Sequence, residues 1–196
     1  KSELENYFSF KFQKKNLIAT FHPTTITNTK VEFELNELFS AIKFFSDIQF
    51  IFTMPSPDKK GKFIWQKIKD FCEEFDNCIY IKSFGQKRYF SALNYVDGVI
   101  GNSSSGIIEV PSFGKGSINI GERQEGRVQA KSVINVECES NSIKKGIKKL
   151  YESKFKLTLK NTKNPYEKVD TVKNIISVLK TVELENILKK KFNDIK

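Results

Sequence analysis

The residues best suited to chemistry fall in a few short stretches. In Gly101-Asn102-Ser103-Ser104-Ser105-Gly106 three consecutive hydroxyls stand between two glycines, ahead of the apolar Ile107 and Ile108 and the acidic Glu109. Small side chains, O–H donors and free N–H groups at a helix start are the ingredients of a phosphate cradle. Ser and Asn are also ordinary helix caps, so this stretch alone leaves both readings open. Glu109, read as lying in the first turn of the helix, sharpens the first one. Its carboxylate can accept hydrogen bonds from vicinal hydroxyls, as an acidic residue does for ribose in dinucleotide sites, although a carboxylate there also complements the helix dipole. A second stretch is Gly121-Glu122-Arg123-Gln124-Glu125-Gly126-Arg127. The chain has only three arginines, Arg88, Arg123 and Arg127, among 33 basic residues, and two of the three lie in this loop. Two forked guanidiniums on a glycine-bounded loop suit an anion. Phosphates plus a sugar satisfy all of these groups, which makes a nucleotide or nucleotide-sugar the economical ligand.

The single histidine, His22, follows an apolar run in Phe21-His22-Pro23. A lone histidine is often structural, but at the carboxyl end of a strand it can donate to a phosphate or shuttle a proton near neutral pH. Met54-Pro55-Ser56-Pro57-Asp58 reads as a stiff turn, and Lys82-Ser83-Phe84-Gly85 offers backbone groups and an aromatic face for a base. No close pair of carboxylates suggests acid–base work, Asp58 and Asp97 being isolated, and neither GxGxxG nor a Walker A lysine motif is present. A site that holds a nucleotide without chemistry of its own implies a partner domain.

These groups need elements to position them. Apolar runs at Leu17–Phe21, Ile48–Thr53, Cys78–Lys82, Gly98–Gly101, Ser117–Ile120 and Val133–Val136 read as buried strands. Between them lie helical patterns, first Phe33, Leu35, Leu38, Phe39, Ile42 and Phe45, then Phe63, Ile64, Ile68, Phe71 and Phe75, then Phe90, Leu93 and Val96. Strand and helix alternating in this way predict an α/β fold with right-handed crossovers and a doubly wound parallel sheet. Residues Glu3–Gln13 have a helical lead-in pattern, and late helices are expected at Ser142–Ser153 and Tyr166–Lys190. Lys154–Lys163 reads as a loop or linker, with Asn164-Pro165 starting the next helix. The domain organisation expected is a lead-in over 1–15, a Rossmann-like domain over 16–165 and a helical segment over 166–196, long enough to reach beyond its own sheet.

Length and composition agree with this outline. A chain of 196 residues with 39% hydrophobic and 13% aromatic content can build a core and is not intrinsically disordered. No window has the apolar length of a membrane helix, and Lys1-Ser2-Glu3-Leu4-Glu5 lacks a signal-peptide pattern. Three cysteines without a CxxC pair argue against a disulfide framework or a zinc site, and a reducing cytoplasm is the expected location. The net charge of +10 is carried by lysines spread along the chain and interleaved with Glu and Asp, so a nucleic-acid partner is not expected. The chain opens on Lys1 and its only methionine is Met54, which reads as a processed product or a fragment.

Taken together, Val99 through Glu109, Pro111-Ser112-Phe113-Gly114, Ile118 through Arg127 and Thr20-Phe21-His22-Pro23-Thr24 resemble the hydrolysing UDP-N-acetylglucosamine 2-epimerases of sialic-acid and related nonulosonate synthesis. The resemblance spans Asn16 to Val178. It implies a two-lobed glycosyltransferase-B-type enzyme whose carboxyl-terminal, Rossmann-like lobe binds UDP. Such an enzyme eliminates UDP across C1 and C2 of the sugar and adds water to the resulting glycal, with no metal or redox cofactor. The resemblance assigns Ser103 and Ser104 to the diphosphate, Glu109 to the ribose hydroxyls, Arg123 to a phosphate-side contact and His22 to the diphosphate or sugar end as the catalytic candidate. It also assigns the Phe84 backbone to uracil and Ser56 to a binding position, while Arg127 matches the motif.

Departures from the family pattern carry information too. Non-hydrolysing relatives have an arginine-rich turn where this chain has Pro23-Thr24-Thr25, which favours the hydrolysing branch. The acid–base carboxylates of the family lie in the amino-terminal lobe, so this chain is expected to bind UDP without turning over. Asn164 to Lys168 stands where relatives have glycines. The expected partners are a UDP-sugar and the missing lobe, with a homo-oligomer at full length and neither nucleic acid nor membrane. The alternative enzyme is a glycosyltransferase of the same architecture.

Overall fold

The computed structural model describes residues 1–24 and 31–185. Among these, six short strands form one sheet: β1 (Asn16–Thr20), β2 (Gln49–Thr53), β3 (Cys78–Ile81), β4 (Gly98–Gly101), β5 (Gly116–Ile120) and β6 (Val133–Val136). Every pairing is parallel and the order is β3-β2-β1-β4-β5-β6, a doubly wound α/β sheet. Each strand lies within one residue of an apolar run in the sequence. Helices cover both faces, so both faces must be apolar and the strands carry nearly continuous hydrophobic runs.

The helices are α1 (Ser2–Phe8), α2 (Val31–Ile42), α3 (Lys59–Glu74), α4 (Gly85–Leu93), α5 (Ser105–Ile108), α6 (Ser140–Tyr151), α7 (Ser153–Lys160) and α8 (Thr171–Thr181). Alternation along each strand divides the core into two layers. Leu17, Ala19, Phe50, Phe52, Ile100 and Ile118 pack against α2, α3 and α6. Ile18, Ile51 and Val99 point the other way, toward Leu4 of α1 and Ala92 and Leu93 of α4. In the first layer Phe39 of α2 stacks flat on Phe71 of α3, with ring centroids 4.0 Å apart. Each such fully buried side chain is worth roughly 1.5–3 kcal/mol relative to exposure.

The structure corrects several readings of the helices. Phe33 and Phe63 are 52% and 40% exposed, because the buried stripes run through Leu35, Leu38, Phe39 and Ile42 in α2 and through Ile64, Ile68 and Phe71 in α3. Each of the two phenylalanines sits one or two residues off its stripe, which turns it away from the sheet. The lead-in helix stops at Phe8 rather than Gln13, since Ser9 takes left-handed backbone (φ 55°). The chain then returns so that Phe12 N–H donates to the Glu5 carboxylate at 3.0 Å and the Phe12 ring is buried. Lys154–Lys163 is mostly the helix α7 and not a loop. Its Phe155 is buried over Gly116, where a Cβ would come within 2.9 Å of the ring.

Within the described residues the last helix starts later than Tyr166 and stops at Thr181. Asn164 Oδ1 accepts Tyr166 N–H at 3.0 Å, closing a turn rather than starting a helix. Asp170 is left-handed (φ 56°) and Val182 is extended, so among the described residues of this stretch only Thr171–Thr181 is helical. Leu188 and the basic run Lys189–Lys191 lie outside the described residues. The chain divides into two compact units, Lys1–Tyr166 and the segment from Glu167 onward. Among the described residues no helix is long and apolar enough to cross a membrane.

Candidate functional site

The strand order reverses between β1 and β4, and ligands of open α/β sheets bind beyond the carboxyl ends at such a switch point. Thr20 and Gly101 are register partners there. A Cβ on Gly101 would lie 1.9 Å from the Thr20 carbonyl oxygen, and the residue has φ +133°, so only glycine fits. This close approach brings the next residue, Asn102, fully buried, between the strand ends.

On the α4 side of the sheet a cavity of about 420 Å³ brings together Phe84, Ser103 and Glu109 with Thr20, Thr53, Tyr89 and Ser105. Its hydroxyls are paired across elements: Thr20 Oγ1 lies 2.5 Å from Thr53 Oγ1, and the Tyr89 hydroxyl lies 2.5 Å from Ser105 Oγ. Two readings change here. Phe84 is only 3% exposed, with its ring edge-on to Phe8 at 4.9 Å, so its aromatic face belongs to the core and only its backbone is left for a ligand. Glu109 is not in the first turn of a helix. α5 has four residues, and Glu109 closes it while opening the single 3-10 turn Val110–Phe113, so the residue sits at the junction of two short helical turns, where it lines the cavity. The cradle also differs from expectation: local turns occupy the N–H groups of Ser105 and Gly106, which donate to Ser103. Ser104 stands at the N-cap of α5, its carbonyl accepting Ile107 and Ile108 N–H, and it does not line the cavity.

His22 and Arg123 meet at Asn102, and Ser56 joins them through the His22 ring. Ser56 N–H donates to His22 Nδ1 at 3.2 Å, and Ser56 Oγ donates to Asp58 Oδ2 at 2.9 Å. Asp58 caps α3 by accepting Gly61 N–H at 2.7 Å, and that bond, then the Ser56 hydroxyl, hold its carboxyl below the usual range. Burial, and then the Arg123 charge, lower the His22 pKa below its ordinary value, with Asp58 pulling weakly the other way. Arg123 donates from Nη1 to the Asn102 carbonyl at 3.0 Å. Arg127 is exposed at the end of the same loop, and its charge adds to burial in lowering the Arg123 pKa.

Folding also gathers groups that spacing did not reveal. A second cavity of about 460 Å³, on the α2 side of the strand ends, is lined by Glu34, Glu122, Glu137 and Glu139 together with Asn102. These carboxylates come from three separate segments, so no sequence window shows them as a group. Glu34 is buried, its two oxygens 2.9 and 2.8 Å from Thr24 Oγ1. The sequence reading also passed over Asn102, Gln124, Thr53 and Tyr89. For Thr53 a signal existed, a hydroxyl closing an apolar run where a ligand edge is expected. For Asn102 and Gln124 it was position alone, each flanked by residues already singled out.

Comparison with known proteins places this geometry. The family model for UDP-N-acetylglucosamine 2-epimerase matches residues 1–180. The chain is 38% identical over 197 residues to polysialic acid biosynthesis protein P7 of Escherichia coli, covering 100% of this chain and 50% of that protein. It is 34% identical over 203 residues to the GDP/UDP-N,N'-diacetylbacillosamine 2-epimerase (hydrolyzing) of Campylobacter jejuni, covering 100% and 51%. The chain thus spans about half the length of the curated relatives it matches. Its fold matches that of UDP-GlcNAc 2-epimerase from Neisseria meningitidis, solved with UDP-GlcNAc, at a TM-score of 0.65 and 18% identity over 92% of this chain and 48% of that one. With a family match over nearly its whole length and a doubly wound sheet whose switch point carries the cavity, this chain belongs to the UDP-N-acetylglucosamine 2-epimerase family.

Proposed function

We propose that this chain is the nucleotide-sugar-binding half of a hydrolysing UDP-N-acetylglucosamine 2-epimerase. The observation that carries the reading is the convergence of Phe84, Ser103 and Glu109 on one cavity at the switch point, beside the His22–Asn102–Arg123 cluster. In this reading the Phe84 backbone meets uracil and the Glu109 carboxylate accepts from the ribose hydroxyls. Ser103 and Ser104 hydrogen-bond the diphosphate. Arg123 offsets its charge, with Arg127 adding to the local positive field. Ser56 anchors the ring of His22, which serves the diphosphate or the sugar end.

The reaction is elimination of UDP across C1 and C2 of the sugar, then addition of water, giving N-acetylmannosamine and UDP. The groups described stabilise the departing diphosphate as its negative charge develops. The carboxylates that move protons on the sugar come from the other lobe, so this chain binds UDP without turnover. Pro23-Thr24 after His22, together with the hydrolysing relative, supports the hydrolysing branch. Residues 1–15 lead in from the other lobe and 166–196 return toward it. The reading calls for a cytoplasmic homo-oligomer using UDP-sugar as substrate, with no metal or redox cofactor and no nucleic-acid or membrane partner.

Calorimetry with UDP on this chain tests the binding half of the reading. Binding is expected, and Glu109→Ala should weaken it about tenfold, the worth of a charge-assisted hydrogen bond. No binding at millimolar UDP, or no loss in the variant, refutes it. For the full-length protein, release of N-acetylmannosamine and UDP without any acceptor is expected. An absolute need for an acceptor would instead identify a glycosyltransferase.

A further inference from the structure

We infer that Asn102 is a positioning residue that holds His22 as a neutral Nε2–H hydrogen-bond donor in the strand-end crevice and fixes Arg123 beside it. The identity of the ligand served rests on the nucleotide-sugar reading above. The geometry does not.

Asn102 is fully buried and grips residue 22 from both sides. Its Oδ1 accepts His22 N–H at 2.6 Å, and its Nδ2 donates to the His22 carbonyl at 2.9 Å. The side-chain amide therefore behaves as one more rung of parallel sheet, extending the β1–β4 pairing beyond Thr20 and Gly101. Its own backbone continues the pattern: Asn102 N–H donates to Thr20 O at 3.1 Å. The Asn102 carbonyl accepts from Arg123 Nη1 at 3.0 Å and from Gln124 Nε2 at 2.8 Å. Gln124 is itself 1% exposed, so the arginine loop is anchored from within. One residue thus ties together the ends of β1, β4 and β5.

With the backbone of residue 22 held, the ring is set by Ser56. A nitrogen that accepts a hydrogen bond carries no proton, so the Ser56 N–H at 3.2 Å from Nδ1 leaves the proton of the neutral ring on Nε2. Nε2 has no hydrogen-bond partner among the described residues. The charged groups facing the ring are Arg123, which opposes protonation, and Asp58, which favours it; burial and Arg123 together outweigh Asp58 and favour the neutral form. His22 then offers a donor to a ligand oxygen and has no accepting nitrogen to spare. The amide side chain of Asn102 suits this work better than a carboxylate, because it must donate to one backbone group and accept from another at once.

The chain has a single histidine, so ¹⁵N NMR of the imidazole reports on His22 alone. At neutral pH the wild-type chain should show the Nε2–H tautomer and a slowly exchanging residue-22 amide. In Asn102→Ala the tautomer preference should fade, the protonation midpoint should move up toward 6.5, the ordinary value, and UDP affinity should fall about tenfold with uridine affinity unchanged. Ser56→Pro deletes the donor to Nδ1 and leaves Asn102 in place, and it should also erase the tautomer preference. If Asn102→Ala does not fold, the wild-type tautomer and amide exchange together with Ser56→Pro decide the matter. An Nδ1–H ring in the wild type, an unprotected amide, or variants with unchanged tautomer overturn the inference. Failure of the wild type to bind UDP would refute the proposed function and leave these spectra to decide this one.

Discussion

The Tyr89 hydroxyl lies 2.5 Å from Ser105 Oγ, so α4 and the first residue of α5 share one hydrogen bond at the lining of the 420 Å³ cavity. Burial pushes the phenol up to about 12, with the Ser105 bond lowering it and the Glu109 charge raising it, so it is protonated throughout the neutral range. Tyr89→Phe should cost about 1 kcal/mol of stability, the net worth of one hydrogen bond, seen as a lower urea midpoint at constant slope. UDP affinity should drop a few-fold through the loosened Ser103–Ser105 turn. Unchanged midpoint and affinity would remove this pair from both roles.

Arg123 combines a backbone anchor, the Asn102 carbonyl, with a charge beside His22. Arg123→Ala should weaken UDP binding by roughly 10- to 100-fold, as expected for a hydrogen bond from a charged group, and leave uridine binding within about twofold. Arg127→Ala, on the exposed end of the loop, should show a smaller loss that added salt removes. Equal losses for UDP and uridine would mean that Arg123 shapes the loop and does not meet phosphate. Calorimetry at two salt concentrations gives all of these values.

His22 links stability to acid in a defined direction. Its folded pKa lies below the ordinary 6.5, chiefly through burial. Between the folded value and 6.5 the unfolded chain therefore binds more protons, and stability falls as pH is lowered through that window. Above it both states are neutral and the effect vanishes. Melting temperature measured from about pH 7.5 downward should begin to fall just below 6.5 in the wild type, and the part of this slope due to His22 should be missing in His22→Gln. A wild-type slope matched by the variant would show that the ring is not held neutral.

Gly101 allows β1 and β4 to close above the sheet. Gly101→Ala would set a Cβ 1.9 Å from the Thr20 carbonyl oxygen at a φ of +133°. Strain of this kind costs about 1–3 kcal/mol from backbone conformation alone, and the clash with backbone adds to it. The chain should melt several degrees lower and bind UDP more weakly, because Asn102 shifts with residue 101. A melting temperature within one degree of the wild type would show that the strand ends can separate freely.

The strands were legible because burial on both faces demands runs such as Ile48–Thr53, and such runs need no tertiary knowledge to see. Helix ends were less so. Lys154–Lys163 looks polar, yet Phe155, placed over Gly116, and Leu159 pack on the core and dock α7. Single-residue departures move helix boundaries that periodicity would place elsewhere: left-handed Ser9 ends α1 early and left-handed Asp170 delays the start of α8.

At the site, the sequence alone determined which residue types stand after which strand: hydroxyls after β4, arginines after β5, the only histidine after β1. Local order dictates these, since strand and turn are encoded within a few residues. What only the tertiary structure decided is how they combine. Phe84 is turned into the core, Glu109 is set at the junction of α5 and a 3-10 turn, and four glutamates from three segments share a cavity. Above all, Asn102 reaches across 80 residues of chain to hold His22. Such a contact depends on strand order and register, and these come from packing two helical layers on one sheet, a property of the whole chain and of no single segment.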